Sequence, residues 1–133
     1  MRILLDTNQV LFIVQNPERL SDKARNVLGE RMSRVFVSSV SLWEIDLKNR
    51  SRNARGESRL PLAAPIGSIL EYFLRKGATA LPLKASHVSV ELERPLSHQD
   101  PFDWMHLKQA QAEDLKLLTN DHALLNHPLV ISA

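Results

Sequence analysis

The sequence predicts an α/β protein whose mostly parallel sheet is covered by helices on both faces. Two observations carry this prediction. Short apolar runs that read as buried strands alternate with stretches of helical periodicity, and those stretches carry start and stop signals at their ends. "RILLD" (2–6) is a buried strand bounded by the turn-prone Asp6-Thr7-Asn8, and "VLFIVQ" continues into a short helix stopped near Asn16-Pro17. Ser21 caps a helix that sets Ala24, Val27 and Leu28 on one face. "RVFVS" (34–38), rich in β-branched and aromatic residues, is the second strand. "SSVSLWEIDLKNR" is a helix expected to turn Val40, Trp43 and Leu47 inward. A basic loop follows, and the prolines of "LPLAAP" keep that segment extended.

In the second half, "APIGSILEYFLRKG" is an amphipathic helix closed by Gly77 after Arg75 and Lys76. "ATALPL" is a third short strand, and "KASHVSVELER" is expected to be another helix despite its β-branched residues. "DPFDWMHLKQAQAED" is the clearest helix, with Asp100 at the N-cap, Pro101 at N1 and Asp103 at N3, a position that can reach back to the cap. "LKLLTND" is a strand ending in another acid, "HALLN" a short turn of helix and "PLVIS" the last strand. No repeat, low-complexity segment or domain boundary interrupts the pattern, so residues 1–133 are expected to form a single domain.

A chain of 133 residues is long enough for a core without covalent staples, and 44% hydrophobic with 24% charged residues is ordinary for a globular protein. No apolar run approaches the roughly 20 residues that span a bilayer, and the N-terminus lacks the pattern of a signal peptide. The absence of cysteine excludes disulfides, thiolate catalysis and Cys-based zinc sites. The expectation is a cytoplasmic protein whose chemistry comes from carboxylates, hydroxyls, histidines and backbone. A net charge of +2 and a pI near 9.2 permit nucleic-acid binding without requiring it. "KNRSRNARGESR" (48–59) holds five basic residues and one acid. Its Arg50, Arg52, Arg55 and Arg59 form either a solvated loop or a patch that contacts phosphates.

In open α/β sheets the functional crevice lies beyond the carboxyl ends of the strands. Asp6 ends the first strand, Asp121 follows a later one, Glu44 lies six residues past the second, and Asp103 sits at a helix N-terminus. Each has a bland explanation: a cap for Asp6, a capping box for Asp103, a turn for Asp121, and an ion pair with Lys48 for Glu44. Jointly they say more, because clustered carboxylates raise one another's pKa unless a cation lies between them. Hard oxygen donors without cysteine suit Mg²⁺ or Mn²⁺. Thr7 and Thr119, each near an acid, can orient a carboxylate, hold a water or simply cap a turn.

"LLDTN", "VSSVSLWEIDLK", "HQDPFDWMHLKQAQAEDLKLLTND" and the closing "PLVI" together resemble a PIN domain of the VapC-like toxin type, nearly end to end and in the right order. The resemblance implies a three-layer α/β/α fold, a Mg²⁺- or Mn²⁺-dependent ribonuclease, a cognate antitoxin partner and a homodimer. Carried over residue by residue, it implies Asp6, Glu44, Asp103 and Asp121 as catalytic metal ligands, Asp100 as a neighbouring acid, and Thr7 and Thr119 as the hydroxyls beside the first and last acids. This sequence departs from the pattern in four places. Asn8 and Phe12 stand where close relatives usually have His and Trp, Trp104 replaces a common Arg, and His106 interrupts an apolar block.

The resulting expectation is a toxin endoribonuclease that hydrolyses RNA phosphodiesters by metal-activated water. A non-catalytic PIN-like module that binds RNA or protein is the alternative. A phosphotransfer enzyme using Asp6 as nucleophile ranks behind both, because that chemistry wants a second acid where Asn8 stands. His87, His98, His106, His122 and His127 form no close metal-ligand pattern and read as solvated or core residues, with His98 near Asp100 the one of interest.

Overall fold

A computed structural model describes residues 1–133. Five strands form one sheet: β1 (Arg2–Leu5), β2 (Arg34–Ser38), β3 (Thr79–Leu81), β4 (Lys116–Thr119) and β5 (Val130–Ser132). They lie in the order β3-β2-β1-β4-β5, and every pairing is parallel. The helices are α1 (Thr7–Gln15), α2 (Asp22–Gly29), α3 (Ser39–Arg50), α4 (Ile66–Arg75), α5 (Ala85–Ser89) and α6 (Pro101–Glu113).

The period of two along each strand sorts its side chains between two cores. Ile3 and Leu5 of β1, Val37 of β2 and Leu118 of β4 pack with residues of α1 to α4 on one face. Leu4, Phe36 and Leu117, each one position away, pack with Leu107 and Ala110 of α6 on the other. Both faces of β1 are therefore dry, and Ile3, Leu4 and Leu5 are wholly buried. That is why its apolar residues run consecutively. The chain builds outward from β1 through β2 to β3, then returns to the other side of β1 for β4 and β5. This reversal sets the topological switch point between β1 and β4, where such sheets place their crevice.

Local signals work as the sequence suggests in most elements. Ser21 Oγ accepts from Ala24 N at 3.0 Å to start α2, and Gly77, at φ +90°, ends α4 in a conformation that L side chains rarely adopt. Three expectations fail. The helix expected over 84–94 is limited to Ala85–Ser89, where only His87 is buried and Val88 is left 47% exposed, so no apolar face extends it. "HALLN" forms turns without a helix. On α3 the buried residues are Val40, Ser41, Glu44 and Ile45, whereas Trp43 and Leu47 face outward at 52% and 39% exposure. The buried stripe of α3 is half polar because it faces the carboxyl ends of the strands. Trp43 instead meets Phe102 edge to face, with ring centroids 5.1 Å apart.

Candidate metal centre at the carboxyl end of the sheet

The four acids come together. Asp6, Glu44, Asp103 and Asp121 line one pocket of about 120 Å³ with Asp100, Thr7, Asn8 and Lys48, and no hydrophobic residue takes part. Two larger cavities, of about 580 and 240 Å³, lie around Tyr72 on α4 with mostly apolar walls, away from the acids. Their chemistry differs from that of the small polar pocket, which suits an ion and its hydration.

Sheet register explains the central pair. Leu5 pairs with Leu118, so the next residues, Asp6 and Thr119, leave the sheet side by side. The backbone N–H of Asp6 donates to Leu118 O at 3.0 Å, and the Thr119 hydroxyl donates to Asp6 Oδ2 at 2.5 Å. Asp6 Oδ1 accepts from Thr7 N at 2.8 Å as the N-cap of α1. Capping and pocket-lining are thus compatible roles for one carboxylate. Asp121 follows β4, with its N–H on Thr119 Oγ1 at 3.0 Å and its Oδ1 accepting from Ala123 N at 3.0 Å.

Glu44 is held from both sides. Thr7 Oγ1 donates to Glu44 Oε1 at 2.6 Å, and Lys48 Nζ lies 2.6 Å from Oε2. Asp103 behaves differently from the sequence expectation. Asp100 Oδ1 accepts from both Phe102 N and Asp103 N, but the Asp103 carboxylate does not reach back to the cap. The Asp100 N–H goes to His98 Nδ1 at 3.2 Å instead. Freed from capping, Asp103 faces the pocket, where its nearest cationic candidate is His98 Nε2 at 3.5 Å. Burial, then the charges of Asp100, Asp6, Asp121 and Glu44, push its pKa from 3.8 up to about 7.

Two residues support the acids in a way that the sequence did not reveal. His106 is wholly buried, with Nε2 2.9 Å from Ser41 Oγ and Nδ1 3.6 Å from Asp6 Oδ1. Ser41 Oγ lies 3.2 Å from Thr7 Oγ1, which completes a polar chain beneath the acids. Helical spacing is the signal that finds both: His106 stands three residues after Asp103, and Ser41 three before Glu44.

The donor set fits a hard divalent cation. Its candidate ligating atoms are carboxylate oxygens, and burial first, then the neighbouring acids, raise the Asp103 pKa. As they stand, no three His, Asp or Glu side chains converge as a ready metal site, and the Lys48 ammonium occupies one oxygen of Glu44. The arginines fall outside the pocket. Arg50, Arg52, Arg55 and Arg59 are exposed, Arg50 is paired with Asp46 at 2.7 Å, and Arg59 Nε donates to Arg52 O at 3.3 Å.

The PIN domain family matches residues 3–128. The chain belongs to that family. No curated protein matches it. Among solved structures, the PIN fold recurs in DNA-bound VapBC from Salmonella typhimurium at 20% identity and a TM-score of 0.65, covering 100% of this chain and 97% of that one. VapBC2 from Rickettsia felis, bound to a DNA fragment from its promoter, follows at 17% identity and 0.62, with 100% and 98% covered. A toxin–antitoxin complex from Klebsiella pneumoniae gives 17% and 0.60, with 98% and 96% covered. The fold is therefore the three-layer α/β/α arrangement of PIN domains, here with an entirely parallel sheet.

Proposed function

We propose that this PIN domain is the toxin of a VapBC-type toxin–antitoxin pair, a Mg²⁺- or Mn²⁺-dependent endoribonuclease that acts in the cytoplasm, forms a homodimer and is held by a cognate antitoxin. The observation that carries the reading is that Asp6, Glu44, Asp103 and Asp121, from four separate segments, line one pocket without apolar walls. The likeness to VapBC complexes supports the choice of partner.

In this reading Asp6, Glu44, Asp103 and Asp121 hold the ion, with Asp100 beside them. A divalent ion there supplies Lewis-acid stabilisation of charge on the scissile phosphate and a water of lowered pKa. The Thr119 hydroxyl and Thr7 N–H fix both oxygens of Asp6, and the Thr7 hydroxyl fixes Oε1 of Glu44, so the acids are oriented before anything binds. Lys48, with its side chain 54% exposed, sets a cation at the rim where a phosphate enters. The exposed Arg52, Arg55 and Arg59 would add phosphate contacts for an RNA backbone.

The test is cleavage of labelled single-stranded RNA by purified protein. Cutting with Mg²⁺ or Mn²⁺, none in EDTA and recovery on adding back metal is the expected result. Undiminished cutting in EDTA overturns metal catalysis. RNA binding without cutting under any metal turns the reading to a non-catalytic PIN-like module. Co-expression with the neighbouring gene's product tests the antitoxin by co-purification.

A further inference from the structure

We infer that His106 is a positioning residue for the acid pocket: its ring, protonated on Nδ1, holds the Asp6 carboxylate and is itself held from behind by the Ser41 hydroxyl. The effect on ion binding rests on the metal reading above; the approach to Asp6 does not.

His106 lies on the buried stripe of α6 with Asp103, Leu107 and Ala110, where helix packing alone would favour an apolar side chain. Its Nδ1 is buried without a hydrogen-bond partner and faces Asp6 Oδ1 at 3.6 Å. The ring is wholly buried, and a neutral imidazole carries a single N–H. Two tautomers are then open. With the proton on Nε2, the Nδ1 lone pair points at Asp6, whose oxygens already accept from Thr7 N and the Thr119 hydroxyl. That sets two acceptors against each other in a dry site.

With the proton on Nδ1, the N–H points at the carboxylate and the Ser41 hydroxyl donates to Nε2 across 2.9 Å. The single Thr7 hydroxyl proton is already given to Glu44 Oε1 at 2.6 Å. Every proton then faces an acceptor, and Ser41 Oγ and Thr7 Oγ1 meet at 3.2 Å with no proton between them. The gap of 3.6 Å exceeds a hydrogen bond, so in this arrangement the ring acts on Asp6 through the dipole of its N–H. Groups that hold ligating carboxylates in this way typically change metal affinity by about 10- to 100-fold when removed.

The experiment compares wild type, His106→Leu and His106→Asn by Mn²⁺ titration calorimetry, with ring ¹⁵N NMR on the metal-free wild type. Leucine fills the space without a polar group, while the asparagine amide returns a donor near the Nδ1 position. The expected result is Mn²⁺ affinity about tenfold or more weaker in His106→Leu, most of it recovered in His106→Asn, and a wild-type ring protonated on Nδ1. Equal affinity in wild type and His106→Leu, or a ring protonated on Nε2, overturns the inference. The tautomer is read on wild type, so the test survives a variant that fails to fold. Wild type that takes up no Mn²⁺ at all overturns the metal reading instead, and the tautomer still decides whether the ring holds Asp6.

Discussion

Replacing Asp103 by Asn should change the way stability depends on pH. The carboxyl of Asp103 titrates near 7 in the folded protein and at 3.8 ordinarily. Below pH 3.8 the group is protonated in both states and contributes nothing. As pH rises through 3.8 the unfolded chain ionises while the folded one keeps its proton, so metal-free wild type loses stability until about pH 7 and then levels off. Each pH unit between the two values is worth about 1.36 kcal/mol, which sets a ceiling of about 4 kcal/mol. Water and counter-ions entering an open pocket screen part of this, leaving about 2 kcal/mol. Asp103 is 9% exposed and its carboxylate makes no hydrogen bond, so the amide removes the charge and sacrifices little else. In a domain of this size the gain corresponds to a melting temperature higher by about 8 °C at pH 8 in EDTA. At pH 4 the two proteins should melt together. Thermal melts followed by circular dichroism from pH 4 to 8 measure the difference. A constant offset across that range would refute the argument, because an altered packing or hydrogen bond has no reason to follow the titration. Mn²⁺ should then raise wild type more than the variant, since the ion relieves the same repulsion.

Other consequences are equally direct. Asp6→Asn should leave a folded protein with little or no RNA cleavage and a smaller Mn²⁺ shift in melting temperature, and full cleavage would remove Asp6 from the ligand set. Changing Arg50, Arg52, Arg55 and Arg59 together to Gln should flatten the salt dependence of RNA binding by about 0.7 in slope for each phosphate no longer neutralised. Because Arg50 is paired with Asp46, three such phosphates are a better expectation than four; an unchanged slope would return the loop to simple solvation. Ile45→Ala should cost about 2–5 kcal/mol in denaturant unfolding, and Trp43→Ala about 1 kcal/mol, because only the first is buried. The reverse order would contradict the outward face of α3.

The elements legible in the sequence were those whose residues met a single demand. β1 and β4 are dry on both sides, so their apolar runs are unbroken, and Asp6 and Asp121 stand out by following them. The start of α6 was equally plain, because Asp100 and Pro101 are there for the backbone. Residues meeting two demands at once were harder. Asp103 occupies a position suited to capping, and only the geometry shows its carboxylate turned to the pocket. On α3 a search for apolar spacing selects Trp43 and Leu47, whereas the buried stripe includes Ser41 and Glu44. His106 stands out in the sequence as an oddity in an apolar block, yet its partner Ser41 lies 65 residues earlier, beyond the reach of any local pattern.

The bond between Thr119 and Asp6 joins residues 113 positions apart, across the pairing of the first strand with the fourth. A polypeptide growing from its N-terminus makes Asp6 long before Asp121. Until β4 exists, β1 has one bare edge, Asp6 lacks the hydroxyl that orients it, and Asp121 has not been synthesised. A chain that ends before β4 therefore lacks the β1–β4 pairing and the Asp121 side of the pocket together. The same long closure makes folding slow relative to helix formation, since the distant strands must meet before their pairing repays the chain entropy.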